Sequence, residues 1–270
     1  MPFMNIGDAD LFYESHGSGE PIFLVSGLGG LASYWMPNIG ALSRGHQVVV
    51  HDHRGTGRST HSKIRYSVDQ MTDDLLRLMD GLRIERAHIV GHSTGGAMAQ
   101  TLAIRRPERV ASLVLYATWT RCDPFFARLF EARRTLLMTA GAAAYTRATA
   151  LFLYPDWWIN HNTAVLDARE KMAVEHFPPP EVVASRIDAI CAFDRVAELS
   201  AIRARTLVLC ARDDFITPPY FSERLAAAIP GARCALLEKG GHCVSETLPD
   251  EFNAAVLEFI GVERGSTVAG

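Results

Sequence analysis

The sequence predicts an α/β protein, a mostly parallel sheet with helices on both faces and a helical segment inserted near its middle. Three observations predict it. Continuous apolar runs of strand length alternate with helical spacings up to residue 117, the pattern of strands buried on both faces between covering helices. Gly27, Asp52, Ser93 and Ala117 each follow such a run, so they gather at the carboxyl ends of the strands, where open parallel sheets bind their ligands. From Thr118 to Val196 no buried-strand run occurs, and the strand pattern resumes at Thr206. The expected organisation is a core of residues 1–117 and 197–270 with a helical cap of residues 118–196 inserted in it.

The elements follow in order. Asp10–His16 reads as an edge strand, stopped by Gly17-Ser18-Gly19. Pro21–Ser26 is a buried strand ending at Gly27-Leu28-Gly29-Gly30, and a glycine-rich stop there leaves backbone N–H groups free to face a ligand. A helix carrying Trp35 and Leu42 leads to the strand Gln47–His51 and the turn Asp52-His53-Arg54-Gly55-Thr56-Gly57. That turn reads as internally hydrogen-bonded, with Asp52 paired to Arg54. Apolar residues at 71, 75, 76, 78, 79 and 82 predict a helix, with Asp69, Asp73 and Asp74 near its positive end. Strands at Ala87–Val90, Val110–Ala117, Thr206–Ala211 and Cys234–Leu237 follow, and Asp250–Ile260 is a final amphipathic helix.

Composition narrows the class. With 270 residues, 48% hydrophobic and 21% charged, the chain suits one α/β domain with a modest insertion and a substantial core. A net charge of −3 without a basic block gives no reason to expect nucleic acid or an anionic membrane as partner. The start, Met1-Pro2-Phe3-Met4-Asn5, lacks a basic region followed by an apolar one, and no apolar run is expected to reach membrane-spanning length. Five scattered cysteines, none in a Cys-x-x-Cys pair, predict free thiols and a reducing cytoplasm. Neither a metal-ligand spacing nor a dinucleotide fingerprint is present, so no cofactor is expected. The expected partner is a small-molecule substrate, with a homodimer left open.

Gly91-His92-Ser93-Thr94-Gly95 lies between a strand and a small-residue helix. A sharp turn there strains its central residue, and glycine on either side removes the clashes, leaving the serine exposed above the strand. The pentapeptide alone is weak evidence; context strengthens it. A serine hydroxyl needs a base, and the base a carboxylate that fixes its tautomer. Strand order supplies Asp214 after Ala211 and His242 after Gly240-Gly241. Asp213 competes for the acid role; Asp214 is favoured because the Asp-x-x-Thr-Pro stretch fixes the loop presenting it. The backbone N–H groups of Leu28 and Thr94 would form the oxyanion hole. His92 reads as a structural hydrogen-bonding residue and Cys243 as a packing cysteine. Arg121, Arg128 and Arg186 are candidates to meet a substrate carboxylate, although solvated surface charge is the plainer account of each.

These residues give the chain its resemblance. Gly91–Gly95, Asp52–Gly57, Asp213–Pro218 and Gly240–His242 stand in the order of the α/β-hydrolase superfamily with a cap. The sequence is most similar to its aminoacrylate hydrolases of pyrimidine breakdown, the RutD type, through Val25–Gly30, Ser33-Tyr34-Trp35, Leu151–Pro155 with Trp157 or Trp158, and Gly240–Cys243. Proteins of that type can carry alanine at the elbow, so Ser93 is a departure that implies a full covalent triad. The resemblance implies a serine-type hydrolase of a small carboxylate-bearing metabolite, with aminoacrylate converted to malonic semialdehyde and ammonia. Alternatives on the same triad are a carboxylesterase or enol-lactonase and a C–C bond hydrolase; a ligand receptor built on the fold is a further one.

Overall fold

In the computed structural model, residues 3–261 are described; the remaining terminal residues assigned to the core from sequence lie outside the described residues. Eight strands form one sheet in the order β1-β2-β4-β3-β5-β6-β7-β8. They are β1 (Phe3–Asn5), β2 (Asp10–His16), β3 (Glu20–Val25), β4 (His46–His51), β5 (Ala87–His92), β6 (Val110–Tyr116), β7 (Arg205–Ala211) and β8 (Arg233–Leu237). β1 and β2 run antiparallel at one edge, and every pairing from β4 to β8 is parallel. The register matters most in the centre. Val25 pairs with Gly91, and Gly91 with Leu115, so the carboxyl ends of β3, β5 and β6 align. That alignment sets the turn after Val25, Ser93 and Ala117 side by side.

The two-residue period of the strands splits the core between the sheet's two faces. Phe23, Val25, Ile89, Leu113 and Leu115 join one cluster, and Ile22, Leu24, Val90, Val114 and Tyr116 the other. The first face is covered by α2 (Val68–Gly81) and α3 (Thr94–Arg105), the second by α1 (Met36–Leu42) and the final helix (Pro249–Gly261). Each fully buried aliphatic or aromatic side chain contributes about 1.5–3 kcal/mol relative to exposure, which is why both faces read as continuous apolar sequence. α2 begins earlier than its apolar spacing indicates, because Ser67 accepts a hydrogen bond from the Gln70 N–H (3.0 Å) and caps it.

Between β6 and β7 the chain runs through α4 (Pro124–Leu153), α5 (Asp156–His161), α6 (Thr163–Glu175) and α7 (Pro180–Ala192). After β7 come α8 (Pro219–Ala228), then β8, α9 (Val244–Thr247) and α10, the final helix. At the base of the insertion Arg121 and Asp194 form an antiparallel bridge, and the Arg195 N–H donates to the Thr120 carbonyl (3.0 Å). Taken as one 30-residue span, with an 18-residue window of mean hydropathy 1.2, α4 has the length and composition of a membrane-crossing helix, contrary to the expectation from sequence. Alanine, leucine and phenylalanine, interrupted by threonine, give that hydropathy without a long aliphatic run. Gly141, at φ 82°, breaks the helix in two.

Glycine is mandatory at the turn into α3. A Cβ on Gly95 would lie 2.7 Å from the Ser26 carbonyl oxygen and closer still to that of Val25. Both are backbone at the end of β3 and cannot yield. Gly95→Ala is therefore expected to lower unfolding stability by about 3 kcal/mol or more. An unchanged urea midpoint would refute this close approach.

Candidate active site

Ser93 stands at the apex of the turn between β5 and α3, with φ 52° and ψ −114°. This is a costly conformation for a residue with a Cβ, of order 1–3 kcal/mol. Its neighbours hold it there: the Ser93 N–H donates to the Tyr116 carbonyl (2.9 Å), and the Thr118 hydroxyl donates to the Ser93 carbonyl (2.7 Å). Facing it is the turn after β3. A Cβ on Gly27 would sit 3.1 Å from the Ser93 Cβ and from His92 Nδ1, so this turn packs directly on the elbow. The Ser26 hydroxyl donates to the Leu31 carbonyl (2.7 Å) and the Gly30 N–H to the Gly27 carbonyl (3.0 Å), which fixes Leu28 between them. Thr94 is the first residue of α3, where no preceding turn supplies its N–H with an acceptor.

His242 follows two glycines at φ 139° and 69°, a path an L side chain would resist. Its Nδ1 lies 3.0 and 2.9 Å from the two carboxylate oxygens of Asp214, and both residues are buried. The Asp214 carboxylate also accepts from the N–H groups of Ile216 and Thr217 (2.9 Å each) and from the Thr217 hydroxyl (2.7 Å). Asp213 turns the other way and accepts from the Gly241 N–H (2.8 Å). Thr217 and the loop's own N–H groups hold the carboxylate directly, a role the sequence argument gave to the prolines.

The backbone of His242 is fixed as firmly as its ring. Its N–H donates to the carbonyl of Leu153 in the insertion (3.0 Å), and its carbonyl accepts from the Tyr116 hydroxyl (2.9 Å) and from His92 Nε2 (3.1 Å). His92 has the hydrogen-bonding role expected for it, stacked on Tyr34 with centroids 4.7 Å apart. Tyr34 and Trp35 thus belong to the wall behind the histidine pair. Cys243 is buried, and burial pushes its thiol well above the usual range, which keeps it protonated and inert.

Burial also holds several histidines neutral. It pushes His92 and His53 well below the usual imidazole value, each further disfavoured by a neighbouring histidine, and lowers His51 to about 4. In the unfolded chain these groups titrate near 6.5. Below that pH the unfolded state takes up protons that the folded state refuses. The stability these neutral rings confer is therefore complete above pH 6.5 and lost as pH falls towards the folded values, by up to about 1.4 kcal/mol per pH unit per histidine. Melting temperatures measured from pH 8 to 4.5 are expected to fall below pH 6.5, with His51→Asn flattening the decline; a flat wild-type profile would contradict this.

Two sequence expectations change. Asp52 does not pair with Arg54. It accepts from the Ala32 N–H (2.8 Å) and from Arg58 through its N–H (2.9 Å) and Nε (3.1 Å), because Gly57, at φ 52°, turns the chain back. Arg54 instead reaches Asp74 and Asp8. Of the three candidate arginines, Arg121 is exposed and paired with Asp194, and Arg128 is exposed against the Pro124 carbonyl. Arg186 is buried and donates to the carbonyl of Leu28 (3.1 Å). Another buried arginine, Arg133 on α4, has no signal in the sequence, where its helix is full of charged and small residues. Among the described residues no three His, Cys, Asp or Glu side chains gather into a metal-binding group.

Comparison with known proteins identifies the family. Residues 20–249 match the family described as the alpha/beta hydrolase fold. The chain is 45% identical over 261 residues to a provisionally named carbamate hydrolase RutD of Azorhizobium caulinodans, covering 97% of this chain and 98% of that one. A similarly named protein of Caulobacter vibrioides is 42% identical over 266 residues, covering 96% and 99%. Among solved structures, the enol-lactonase of Burkholderia xenovorans superposes with a TM-score of 0.89 at 30% identity, covering 96% of this chain and all of that one.

Proposed function

The chain belongs to the α/β-hydrolase family and within it to the RutD type, and from that premise we propose that it is a Ser-His-Asp hydrolase of a small carboxylate-bearing metabolite. The observation that carries the reading is the buried Asp214–His242 pair at 2.9 Å, presented in the family's order behind a serine on a strained elbow. In this reading Ser93 is the nucleophile and His242 takes its proton through Nε2. Asp214 holds the Nδ1–H and stabilises the imidazolium. The N–H groups of Leu28 and Thr94 receive the negative charge that develops on the substrate oxygen. Helices α4 to α7 serve as a cap that keeps water from the site.

Aminoacrylate is the substrate the resemblance implies. Water adds across the imine tautomer, ammonia leaves, and malonic semialdehyde is the product. With that substrate His242 would activate water directly and Ser93 would orient it. The relatives' names point to carbamate, also a small anion with an amino group on the carbon attacked. A second reading, an enol-lactonase, is favoured by the 0.89 TM-score to a protein of that activity. It would use Ser93 covalently. A fluorophosphonate probe decides the nucleophile: one adduct at Ser93 in the folded protein is expected, and no adduct there removes the covalent mechanism. Rates on aminoacrylate generated in situ and on an enol-lactone then separate the two substrates.

A further inference from the structure

Two buried arginines of the insertion form no ion pair among the described residues. Arg133, on α4, is 5% exposed; its Nη2 donates to the hydroxyls of Tyr145 (3.1 Å) and Thr149 (3.4 Å). Its guanidinium sits 5.2, 5.4 and 5.7 Å from the ring centroids of Phe130, Tyr145 and Phe152. Arg186, on α7, is 1% exposed; its Nη1 donates to the Arg54 carbonyl (3.0 Å), and its Nη2 to the Leu28 carbonyl and His53 Nδ1 (3.1 Å each). In both, Nε has no acceptor among the described residues. Every partner is neutral, since burial keeps His53 uncharged. Burial also lowers Arg186 to about 10, so it stays charged at neutral pH. The nearby buried carboxylate, Asp74, is already occupied by two nitrogens of Arg54.

Buried charges are ordinarily paired, because an isolated one gives up its hydration for nothing. An aromatic cage offsets part of that loss for Arg133, but two such cations in one insertion call for an anion from outside. Their position says which. The Arg133 guanidinium lies against Phe152, which stacks on Phe215 (6.0 Å, 27°), the residue after Asp214. Arg186 holds the turn that carries Leu28. Arg133 is thus linked through Phe152 and Phe215 to the loop of Asp214, and Arg186 directly to the turn of Leu28, the two turns that border Ser93 in the proposed site.

We propose that Arg133 and Arg186 form the anion subsite of this enzyme, Arg133 binding the substrate carboxylate and Arg186 adding positive potential while positioning the Leu28 peptide. This rests on the reading of a carboxylate-bearing substrate, and it specifies that reading. On binding, the carboxylate takes the free Nε–H of Arg133 and replaces its weak hydroxyl partners with charge-assisted hydrogen bonds.

The test uses the full chain, with sodium malonate as the anionic probe, malonamide as its neutral analogue and matched sodium chloride as the salt control. Malonate is expected to raise the melting temperature of wild type and of Ser93→Ala, and malonamide to leave it unchanged. Arg133→Met is expected to weaken malonate binding at least about tenfold, with Arg133→Lys retaining part of it. Without malonate, Arg133→Met should melt no lower than wild type, because an unpaired buried charge has been replaced by an apolar side chain. In turnover, Arg133→Met should raise KM for p-nitrophenyl hemisuccinate about tenfold or more and leave p-nitrophenyl acetate within about twofold. Equal losses on both esters, or malonate binding indifferent to Arg133→Met, overturns the proposal. A melting temperature that falls with malonate binding intact assigns Arg133 to packing, which also overturns it. Should Arg133→Met not fold, Arg133→Gln carries the same measurements. Malonate binding that needs Arg133 in a protein without esterase activity would sink the serine mechanism and leave the subsite standing.

Discussion

Ser93→Ala is expected to lower kcat on an ester by about 10⁴- to 10⁶-fold, because in the proposed mechanism loss of the nucleophile disables the whole triad and leaves only binding and oxyanion stabilisation. Alanine keeps the Cβ that the elbow already accommodates at φ 52°, so the fold should survive and the melting temperature should stay within a few degrees. Fluorophosphonate labelling should vanish with the hydroxyl. Full turnover of aminoacrylate by Ser93→Ala would show that water activation by His242 suffices for that substrate; full turnover of an ester would remove Ser93 from the mechanism.

Asp214→Asn is expected to cost about 10⁴ in kcat with little change in KM. The asparagine amide cannot accept at every position where the carboxylate now accepts from Ile216, Thr217 and His242. Presenting its NH2 to Nδ1 would leave the imidazole in the tautomer unable to receive the serine proton. Asp213→Asn keeps an amide oxygen that can accept from the Gly241 N–H and is expected to lose less than about tenfold, the scale of one neutral hydrogen bond. Steady-state kinetics of the two variants side by side separates the neighbouring aspartates. Comparable losses would mean that the loop, and not one carboxylate, holds the base.

Much of the site was legible because its constraints are local. A serine between glycines after a buried strand can be read without knowing the rest of the fold, and the sheet's parallel order brings Asp214 and His242 to the same edge. Contacts set by long-range packing were less legible. Asp52 lies two residues from Arg54, and proximity in sequence suggested a pair. Gly57 directs Arg58 onto Asp52 instead, and Arg54 reaches across to Asp74 on α2. The short edge strand Phe3–Asn5 has too few residues to show a period. Arg133 carries no mark in the sequence, since an arginine on an alanine-rich helix looks like a solvated one until the rings of Phe130, Tyr145 and Phe152 close around it.

The Leu153 carbonyl accepts from the N–H groups of both His242 and Cys243, at 3.0 and 3.3 Å, and a Cβ on Gly241 would meet Pro155 at 2.8 Å. The turn leaving α4 is therefore a template on which the histidine loop is cast. The native position of His242 depends on residues 153–155. A chimera that takes its α4 to α7 from a relative must bring a matching Leu-Tyr-Pro turn with it, or the His242 loop will lose the acceptor that fixes its backbone.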